Sequence, residues 1–140
     1  MSGVGAESAW RASGAIVLRA PGIYGPGQGL HVALRRGTYR LPGDGSGVIS
    51  RIHVHDLASL VLAALERGRA GETYVVADAL PVPQIEVVTW LCSRMGLELP
   101  PTAPLDTVPA TMRGNRSVDG SRALADLGIT LAYPTFRDGF

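Results

Sequence analysis

Residues 15–27 read AIVLRAPGIYGPG, a short apolar, β-branched run that passes directly into a turn rich in glycine and proline. The composition of residues 15–19 predicts a buried strand. Pro21, Gly22 and Ile23 follow the end of that strand, at the position where the loops of open α/β sheets bind their ligands. This stretch therefore predicts one strand of an α/β fold with a candidate binding loop beside it.

Helix and strand patterns alternate along the rest of the chain, and this order predicts an α/β fold. Apolar residues that recur every three or four positions indicate helices, whereas short β-branched or alternating runs indicate strands. In chain order the expected elements are a helix end over 5–13, the strand over 15–19, a helix over 30–36, a strand over 48–54, a helix between Asp56 and Gly68, a strand over 72–77, a helix between Pro83 and Gly96, and a short helix over Ser121–Leu127.

Local signals refine the ends of these elements. Asp56 suits the N-cap of the helix that follows it, and Pro83 suits the first helical position of the next helix. Residues 97–118, where prolines and threonines cluster, are expected to form a surface excursion. Residues 131–140 show no pattern of a regular element.

The composition suits a single globular domain. The chain has 140 residues, of which 46% are apolar, and this is enough to bury a core. No apolar run reaches the length of a membrane span, and the N-terminus lacks the apolar stretch of a secretion signal. The single cysteine, Cys92, supports neither an internal disulfide nor a structural zinc site, so we expect no metal and a cytoplasmic location.

All thirteen basic residues are arginine, against twelve acidic residues, and the sequence contains no lysine. The only adjacent basic residues are Arg35 and Arg36, so the basic clusters that neutralise nucleic-acid phosphates are missing from the sequence. Without lysine, a Schiff base, a P-loop and a Tyr-x-x-x-Lys catalytic pair are all excluded. We therefore expect no nucleic-acid partner, no membrane partner and no catalytic residue in this chain.

The glycines from Gly22 to Gly29 follow a strand and precede a helix, as they do in a dinucleotide-binding loop. Such a loop must run directly into a helix whose N–H groups hold a pyrophosphate, and Pro26 removes one of these donors. Asp44 stands at the distance of a ribose-binding acid, but in a turn and not at the end of a strand. We therefore predict that this loop does not bind a pyrophosphate.

Five segments resemble, in the same order, motifs of the extended short-chain dehydrogenase/reductase family, and most closely its atypical NAD(P)-dependent epimerase/dehydratase members. They cover nearly the whole chain and are VLRAPGIYGPG (17–27), RIHVHDLA (51–58), GETYVVAD (71–78), NRSVDGSRALADLG (115–128) and YPTFRDGF (133–140). Sugar-nucleotide epimerases usually have Asn where Gly22 stands and Arg where Ile49 stands. These two departures argue against a nucleotide-sugar substrate.

The resemblance implies the last strands of a Rossmann-like parallel sheet and a small C-terminal α/β substrate domain, together spanning residues 1–140. In the family, the N-terminal half carries the dinucleotide-binding glycines and the Ser/Tyr/Lys catalytic group, and neither has a match in this sequence. The chain is thus identified as the substrate-side portion of such a protein, whose full-length members use NAD or NADP. The resemblance also implies that the backbone of Pro21, Gly22 and Ile23 lines the nicotinamide end of that cofactor.

Four side chains are candidates for contact with a small-molecule substrate, namely Tyr24, Arg51, His53 and Arg35. Arg51, His53 and His55 alternate along one predicted strand and so share a face that could bind an anion, although two histidines make an incomplete metal site. Tyr24 could donate a hydrogen bond, and Arg35 could reach a phosphate or a carboxylate. The structural alternatives are a packed tyrosine, a core histidine and solvated arginines.

Two classes of function are compatible with these residues. The first is the substrate-binding half of an NAD(P)-dependent oxidoreductase or epimerase that acts on a small hydroxyl, carbonyl or sugar-like compound, with no turnover by this chain on its own. The alternative is a non-catalytic binding or assembly module that forms a homodimer or needs a partner chain. Strands that lack neighbours would leave apolar edges for such assembly.

Overall fold

A computed structural model describes residues 14–109 and 117–140 and confirms the α/β fold. Its strands are β1 (Val17–Arg19), β2 (Gly22–Tyr24), β3 (Leu41–Pro42), β4 (Val48–Ile49), β5 (Arg51–His53), β6 (Thr73–Val75), β7 (Val82–Pro83) and β8 (Thr102–Ala103). Its helices are α1 (Leu30–Arg36), α2 (Val54–Arg67), α3 (Gln84–Met95), α4 (Ser121–Leu127) and α5 (Phe136–Gly139), with a 3₁₀ turn over Leu105–Thr107. Within these residues no helix has both the length and the apolar character needed to cross a bilayer.

The strands pair in four short ladders that join distant parts of the chain. β1 pairs with β6 and β2 with β5, both in parallel, and helical segments lie between the paired strands as parallel pairing requires. β3 pairs in parallel with β8, and β4 pairs antiparallel with β7. Residues 97–118 were expected to form a surface excursion only, whereas part of this stretch contributes β8 to a ladder.

Two groups of buried side chains form separate hydrophobic clusters. The first cluster surrounds α3 and comprises Leu34, Tyr39, Leu41, Val82, Val87, Val88, Leu91, Cys92 and Phe136. The second cluster surrounds α2 and α4 and comprises Ile52, Leu60, Ala63, Ala64, Tyr74, Val76, Ala123 and Leu127. The second cluster packs against the β1–β6 ladder through Tyr74 and Leu18.

Several predicted ends of elements are confirmed. Helix α1 and helix α4 have the predicted bounds, and Gly37 and Gly128 follow them in the left-handed conformation that glycine adopts without strain. Gly96 ends α3 in the same way. The helix end predicted over 5–13 lies outside the described residues, and Gly14, its predicted cap, has a positive φ of 88°.

The predicted strand over 48–54 is instead two strands followed by a helix. Ser50 separates β4 from β5, and its Oγ accepts a hydrogen bond from the Val118 N–H at 2.9 Å. Helix α2 begins at Val54, so His55 is helical and does not continue the strand face of Arg51 and His53. The alternating pattern of residues 48–54 did not reveal the break at Ser50, because the residue that bonds to Ser50, Val118, lies far away in the sequence.

Asp56 does not cap α2, contrary to the prediction. The N-cap is His53, whose Nδ1 accepts a hydrogen bond from the His55 N–H at 3.0 Å. Asp56 lies in the first turn and is 1% exposed, and its two carboxylate oxygens accept hydrogen bonds from the N–H groups of Ala132 (2.8 Å) and Tyr133 (2.9 Å). This carboxylate therefore attaches the C-terminal segment to α2.

Pro83 is likewise the N-cap of α3 and not its first helical residue. The C-terminal segment, for which no element was predicted, contains the short helix α5, which a capping box between Thr135 and Asp138 begins. Phe136 of this helix is completely buried in the first cluster. A four-residue helix is too short to produce an apolar periodicity, which explains why the sequence pattern did not predict it.

We expect Asp56→Asn to destabilise the fold by about 1.5–3 kcal/mol, because an amide offers one acceptor where two buried N–H groups need one each. Urea unfolding followed by circular dichroism measures the loss. Asp106→Asn, in the exposed 3₁₀ turn, is the matched control and should change the free energy of unfolding by less than about 0.5 kcal/mol. Equal effects of the two substitutions would contradict the role assigned to Asp56.

Candidate functional site

The carboxyl ends of β1 and β6 bring the predicted binding loop next to a charged pair. Pro21 lies between β1 and β2, and Gly22 and Ile23, which were predicted as a loop, are instead the first two residues of β2; Asp78 follows β6. Gly22 is the register partner of Arg51, and the Asp78 N–H donates to the Arg51 carbonyl oxygen at 2.8 Å. Gly22 and Arg51 therefore begin the β2–β5 ladder, and with Asp78 they lie just beyond the carboxyl ends of β1 and β6, where α/β sheets bind ligands.

The side chains of Arg51 and Asp78 are buried, with 6% and 5% exposure. The Arg51 Nη1 and the Asp78 Oδ2 are both inaccessible, and neither has a hydrogen-bond partner among the described residues. The other Asp78 oxygen, Oδ1, accepts a hydrogen bond from the Leu80 N–H at 3.1 Å. Arg51 and Asp78 thus carry a donor and an acceptor with unused hydrogen-bonding capacity.

Burial shifts the pKa values of the two residues in opposite directions, upward for Asp78 and downward for Arg51. Burial raises the pKa of Asp78 to about 6, against the hydrogen bond from Leu80 and the charge of Arg51, which lower it. Burial also lowers the pKa of Arg51, while the charge of Asp78 acts to raise it. At neutral pH the carboxyl group is therefore mostly ionised and faces the field of a buried guanidinium.

Tyr39 interacts electrostatically with Arg51, and Gln84 contacts Tyr39. The Gln84 Nε2, at the start of α3, donates a hydrogen bond to the Tyr39 hydroxyl, and both side chains are buried. Burial raises the pKa of Tyr39 to about 12, and the charge of Arg51 opposes this shift. We call Arg51, Asp78, Tyr39 and Gln84 the polar cluster.

Tyr24 is buried beneath the C-terminal helix. Its hydroxyl group donates to the Thr135 carbonyl oxygen at 3.4 Å, and its ring stacks on Phe140 with the centroids 4.3 Å apart. A Cβ atom at Gly139 would collide with the Tyr24 phenol, so only glycine fits there. Burial, followed by the negative charge of Asp78, raises the pKa of Tyr24 far above its ordinary range, which makes the phenol a poor acid at neutral pH.

His53 is held by its cap and by stacking. Besides capping α2, its ring lies 3.9 Å from the Tyr133 ring in a stacked arrangement and meets Tyr24 edge-on at 5.2 Å. Burial lowers the pKa of His53, so the neutral form that its capping nitrogen requires is favoured. The structure places Arg51 and His53 on β5 and Tyr24 on its partner β2; the sequence grouped Arg51 with His53 but did not predict the proximity of Tyr24.

Arg35, the fourth predicted substrate residue, lies at the C-terminal end of α1. Its Nη2 is 3.6 Å from the Met95 sulfur at the end of α3, and the side chain is exposed. Its charge also contributes to the lowered pKa of His31, after burial. The contacts that the structure gives Arg35 are thus with α1 and α3, and not with the polar cluster.

In the glycine-rich segment over residues 22–29, the N–H groups of Gly25 and Gln28 are used within a turn. Gly25 and Gln28 donate their N–H groups to each other's carbonyl oxygens at 2.9 and 3.1 Å, which closes a tight turn and uses both donors. The Asp44 Oδ1 accepts from the Ser46 N–H at 3.0 Å within its own turn. Neither group is directed at a phosphate or a ribose by these contacts.

Sequence reasoning did not select three members of the polar cluster, namely Asp78, Tyr39 and Gln84. Asp78 carried a signal that could have found it, because an acid directly after a buried strand lies at the ligand-binding edge of the sheet. Tyr39 and Gln84 carried no such signal, because 45 residues separate them and only the tertiary structure makes them neighbours.

No family model matches the chain. Among curated proteins, a 3-diazoavenalumate denitrifying reductase from Streptomyces sp is 31% identical over 138 residues, which cover 89% of this chain and 45% of the reductase. Short-chain dehydrogenase/reductase family 42E member 1 from Bos taurus is 30% identical over 98 residues, which cover 61% of this chain and 25% of that protein. The chain thus spans less than half the length of these curated relatives.

Two solved structures share the fold of the chain. A functionally unknown conserved protein from Silicibacter pomeroyi DSS has a TM-score of 0.83 and 36% identity, covering 97% of this chain and 51% of that one. DesIV, a dTDP-glucose 4,6-dehydratase from Streptomyces venezuelae with NAD and TYD bound, has a TM-score of 0.79 and 25% identity, covering 97% of this chain and 46% of that one. DesIV was solved with NAD bound, and its likeness to this chain confirms the expected Rossmann-like α/β fold.

We expect the free energy of unfolding to depend on pH because the pKa of Asp78, in the polar cluster, is raised by folding. Because folding raises the pKa of Asp78 from 3.8 to about 6, its ionisation is disfavoured in the folded state. The contribution of Asp78 to stability is therefore largest below about pH 4 and is lost as the pH rises through about 6. Asp78→Asn keeps an acceptor for the Leu80 N–H and cannot ionise, so the variant should escape this loss.

Urea unfolding at several pH values between about 4 and 7 measures the difference. The variant should gain about 1–2 kcal/mol relative to the wild type across this interval, after an allowance for solvent screening. Asp106→Asn is the control and should follow the wild-type curve. Parallel curves for the wild type and Asp78→Asn would contradict the raised pKa.

Proposed function

We propose that the chain forms the substrate-side portion of a nicotinamide-dependent oxidoreductase of the short-chain dehydrogenase/reductase family, since its relatives and neighbours include a member of that family and NAD-dependent epimerases and dehydratases. One observation carries this proposal. Pro21, the first two residues of β2 (Gly22 and Ile23) and the charged side chains of Arg51 and Asp78 lie just beyond the carboxyl ends of β1 and β6. A cofactor and a substrate that react with each other need such adjacent surfaces.

In this proposal the backbone of Pro21, Gly22 and Ile23 contacts the nicotinamide end of NAD or NADP. Gly22 is exposed, and a Cβ atom built on it would meet only the Ser50 carbonyl oxygen at 3.8 Å. The space beside the loop is therefore open enough for a planar ring to approach the backbone. When it is bound, the nicotinamide supplies or accepts the hydride, and this chain contributes position and exclusion of water.

The substrate side of the proposal rests on Arg51, with Tyr24 and His53 as the packed wall behind it. The Tyr24 hydroxyl donates to the Thr135 carbonyl oxygen, and burial keeps the phenol protonated, so it does not itself transfer a proton. Arg35 would contact only a substrate long enough to reach the ends of α1 and α3. The substrate is a small hydroxyl or carbonyl compound, and the protein acts in the cytoplasm.

This proposal assigns the chain no turnover on its own. A short-chain dehydrogenase of the usual type uses a lysine next to its tyrosine, and this chain contains no lysine. Burial keeps Tyr24 protonated well above neutral pH, and no cation of the required kind lies four residues after it. Catalytic groups and the dinucleotide-binding glycines would be contributed by a further polypeptide segment.

A second candidate function is assembly, and one observation favours it. Helix α2 carries Leu62 and Leu65 on its surface with 62% and 78% of their area exposed, next to Val61 with 41% exposed. Neighbouring apolar side chains at this exposure are typical of contact surfaces. The occupant would be a second copy of the chain, which would form a homodimer, or a partner chain.

We expect nicotinamide mononucleotide at millimolar concentration to shift the backbone amide signals of residues 22–24 in a nitrogen–proton correlation spectrum of this chain. Adenosine monophosphate should leave these signals in place, because the adenine end has no site in this chain. Gly22→Trp, which fills the open space with a large side chain, should abolish the shifts. Shifts caused by adenosine monophosphate in residues 22–29 would contradict the assignment and restore a nucleotide site there.

The assembly candidate predicts that the chain is a dimer or a larger oligomer in solution. Leu65→Glu should then produce a monomer, because a buried carboxylate in the contact would be unpaired. Size-exclusion chromatography with light scattering measures the mass. Leu99→Glu, at another exposed leucine, is the control and should leave the mass unchanged. A wild-type monomer would exclude the homodimer form of this candidate.

A further inference from the structure

A cavity of about 190 Å³ lies between the C-terminal end of α1 and the segment that follows α3. Its first wall is formed by Leu34, Gly37 and Tyr39, and its second wall is formed by residues 97–101. Among the described residues, the cavity shares only Tyr39 with the polar cluster and shares none with residues 21–23. The cavity is therefore a candidate site separate from the one around Arg51.

Backbone hydrogen bonds hold both walls in place. Gly37 ends α1 in the left-handed conformation, and its N–H donates to the Leu34 carbonyl oxygen at 3.1 Å. On the second wall, the Pro101 carbonyl oxygen accepts a hydrogen bond from the Leu41 N–H at 2.9 Å. The rings of Pro100 and Pro101 also restrict the backbone of this wall. Because the walls are already ordered, an occupant would lose little free energy to ordering the chain.

Most of the cavity lining is apolar. Leu97 and Leu99 have 37% and 59% of their area exposed, whereas Leu34 is buried. An occupant that covers the two exposed leucines is favoured, because it removes apolar surface from water. A cavity of about 150 Å³ is large enough for a benzene ring. The cavity of about 190 Å³ therefore suits a single six-membered ring or a branched aliphatic group.

The second wall carries a negative charge. Glu98 lines the cavity and is exposed. Within residues 14–109 and 117–140, no hydrogen bond or ion pair engages the Glu98 carboxylate. This carboxylate can therefore accept charge-assisted hydrogen bonds from an ammonium group of an occupant.

A positive charge lies against the first wall. The Arg40 Nη1 donates to the carbonyl oxygens of Gly37 and Tyr39, at 3.3 and 3.1 Å, and both of these residues line the cavity. A guanidinium group has five N–H donors, so the donors on the Arg40 Nη2 and Nε are still available. These donors match the two oxygens of a carboxylate.

Opposite charges on the two walls discriminate between ligands that contain the same ring. A ligand with only an ammonium group is attracted by Glu98 and repelled by Arg40, and a ligand with only a carboxylate group shows the reverse pattern. A zwitterion has one charge for each partner. An α-amino acid with an apolar side chain combines these two charges with the ring or branched group that the cavity accommodates.

We propose that the cavity between α1 and residues 97–101 is a binding site for a free α-amino acid with an apolar side chain. Glu98 binds the ammonium group, Arg40 binds the carboxylate, and Leu97 and Leu99 cover the side chain. This site goes beyond the proposed function, because it is separate from the surfaces assigned to the nicotinamide and to the substrate.

The test compares four compounds at about pH 7, where amines and carboxylates are ionised. They are phenylalanine, 2-phenylethylamine without the carboxylate, 3-phenylpropionate without the ammonium group, and glycine without the ring. Affinities are measured from the amide shifts of residues 37, 39 and 97–99 in a nitrogen–proton correlation spectrum. Phenylalanine should bind at least about threefold more tightly than either compound with a single charge, as expected for an exposed ion pair. Glycine should cause no shifts at the same concentration.

Two variants separate the roles of the charges. Glu98→Gln should make phenylalanine bind no more tightly than 3-phenylpropionate, while the advantage of phenylalanine over 2-phenylethylamine is retained. Arg40→Gln should produce the reverse pattern. A general loss of structure would not produce these two reciprocal patterns. Glu66→Gln, an exposed carboxylate on α2, is the matched control and should keep the preferences of the wild type.

Each other outcome overturns the proposal. Absence of phenylalanine binding removes the site. Equal affinities for phenylalanine and for one of the compounds with a single charge show that the cavity does not recognise a zwitterion. Phenylalanine shifts at residues 22–24, 51 and 78, without shifts at residues 97–99, would place the amino acid in the candidate site around Arg51 and not in this cavity.

Discussion

The buried carboxylate of Asp56 is the interaction on which the rest of the structure depends. It lies in the first turn of α2 and accepts the N–H groups of Ala132 and Tyr133, more than seventy residues further along the chain. Because the carboxylate is completely buried, these two donors are what compensate its loss of hydration. The attachment then positions Tyr133 on the His53 ring and directs Phe136 into the first hydrophobic cluster.

The same attachment explains why Tyr24 and His53 are packed residues while Arg51 keeps unused hydrogen-bonding capacity. All three side chains belong to the paired strands β2 and β5. The C-terminal segment covers the Tyr24 and His53 end of this pair through its aromatic rings. Arg51 stands at the opposite end, next to the loop after β1 and to Asp78 after β6. The end of the β2–β5 pair that carries Tyr24 and His53 is therefore a structural region, and the end that carries Arg51 is the candidate binding region.

The candidate site could be predicted in part from the sequence. The position of Gly22 and Arg51 followed from a glycine- and proline-rich turn after a buried strand and from the alternation around residue 51. The contributions of Asp78, Tyr39 and Gln84 could not be predicted, because each depends on a partner from another ladder or helix. The cap of α2 was assigned to Asp56 because acids favour that position, yet the imidazole of His53 occupies it. Leaving a buried carboxylate without hydrogen bonds costs more free energy than leaving a helix end uncapped. Asp56 therefore accepts from two N–H groups that are distant in sequence and does not cap α2.

By itself the sequence determined the α/β class, the bounds of α1 and α4, the glycines that end three helices, and the chemistry that a chain without lysine cannot perform. These properties depend on local periodicity, on left-handed glycine conformations and on composition, all of which are present in the order of residues. Only the tertiary structure decided that Asp56 holds the C-terminal segment, that residues 136–139 are helical and that Arg51 lies against Asp78. The physical reason is that a buried charge is satisfied by whatever donors the folded chain brings to it, and those donors lie far away in sequence.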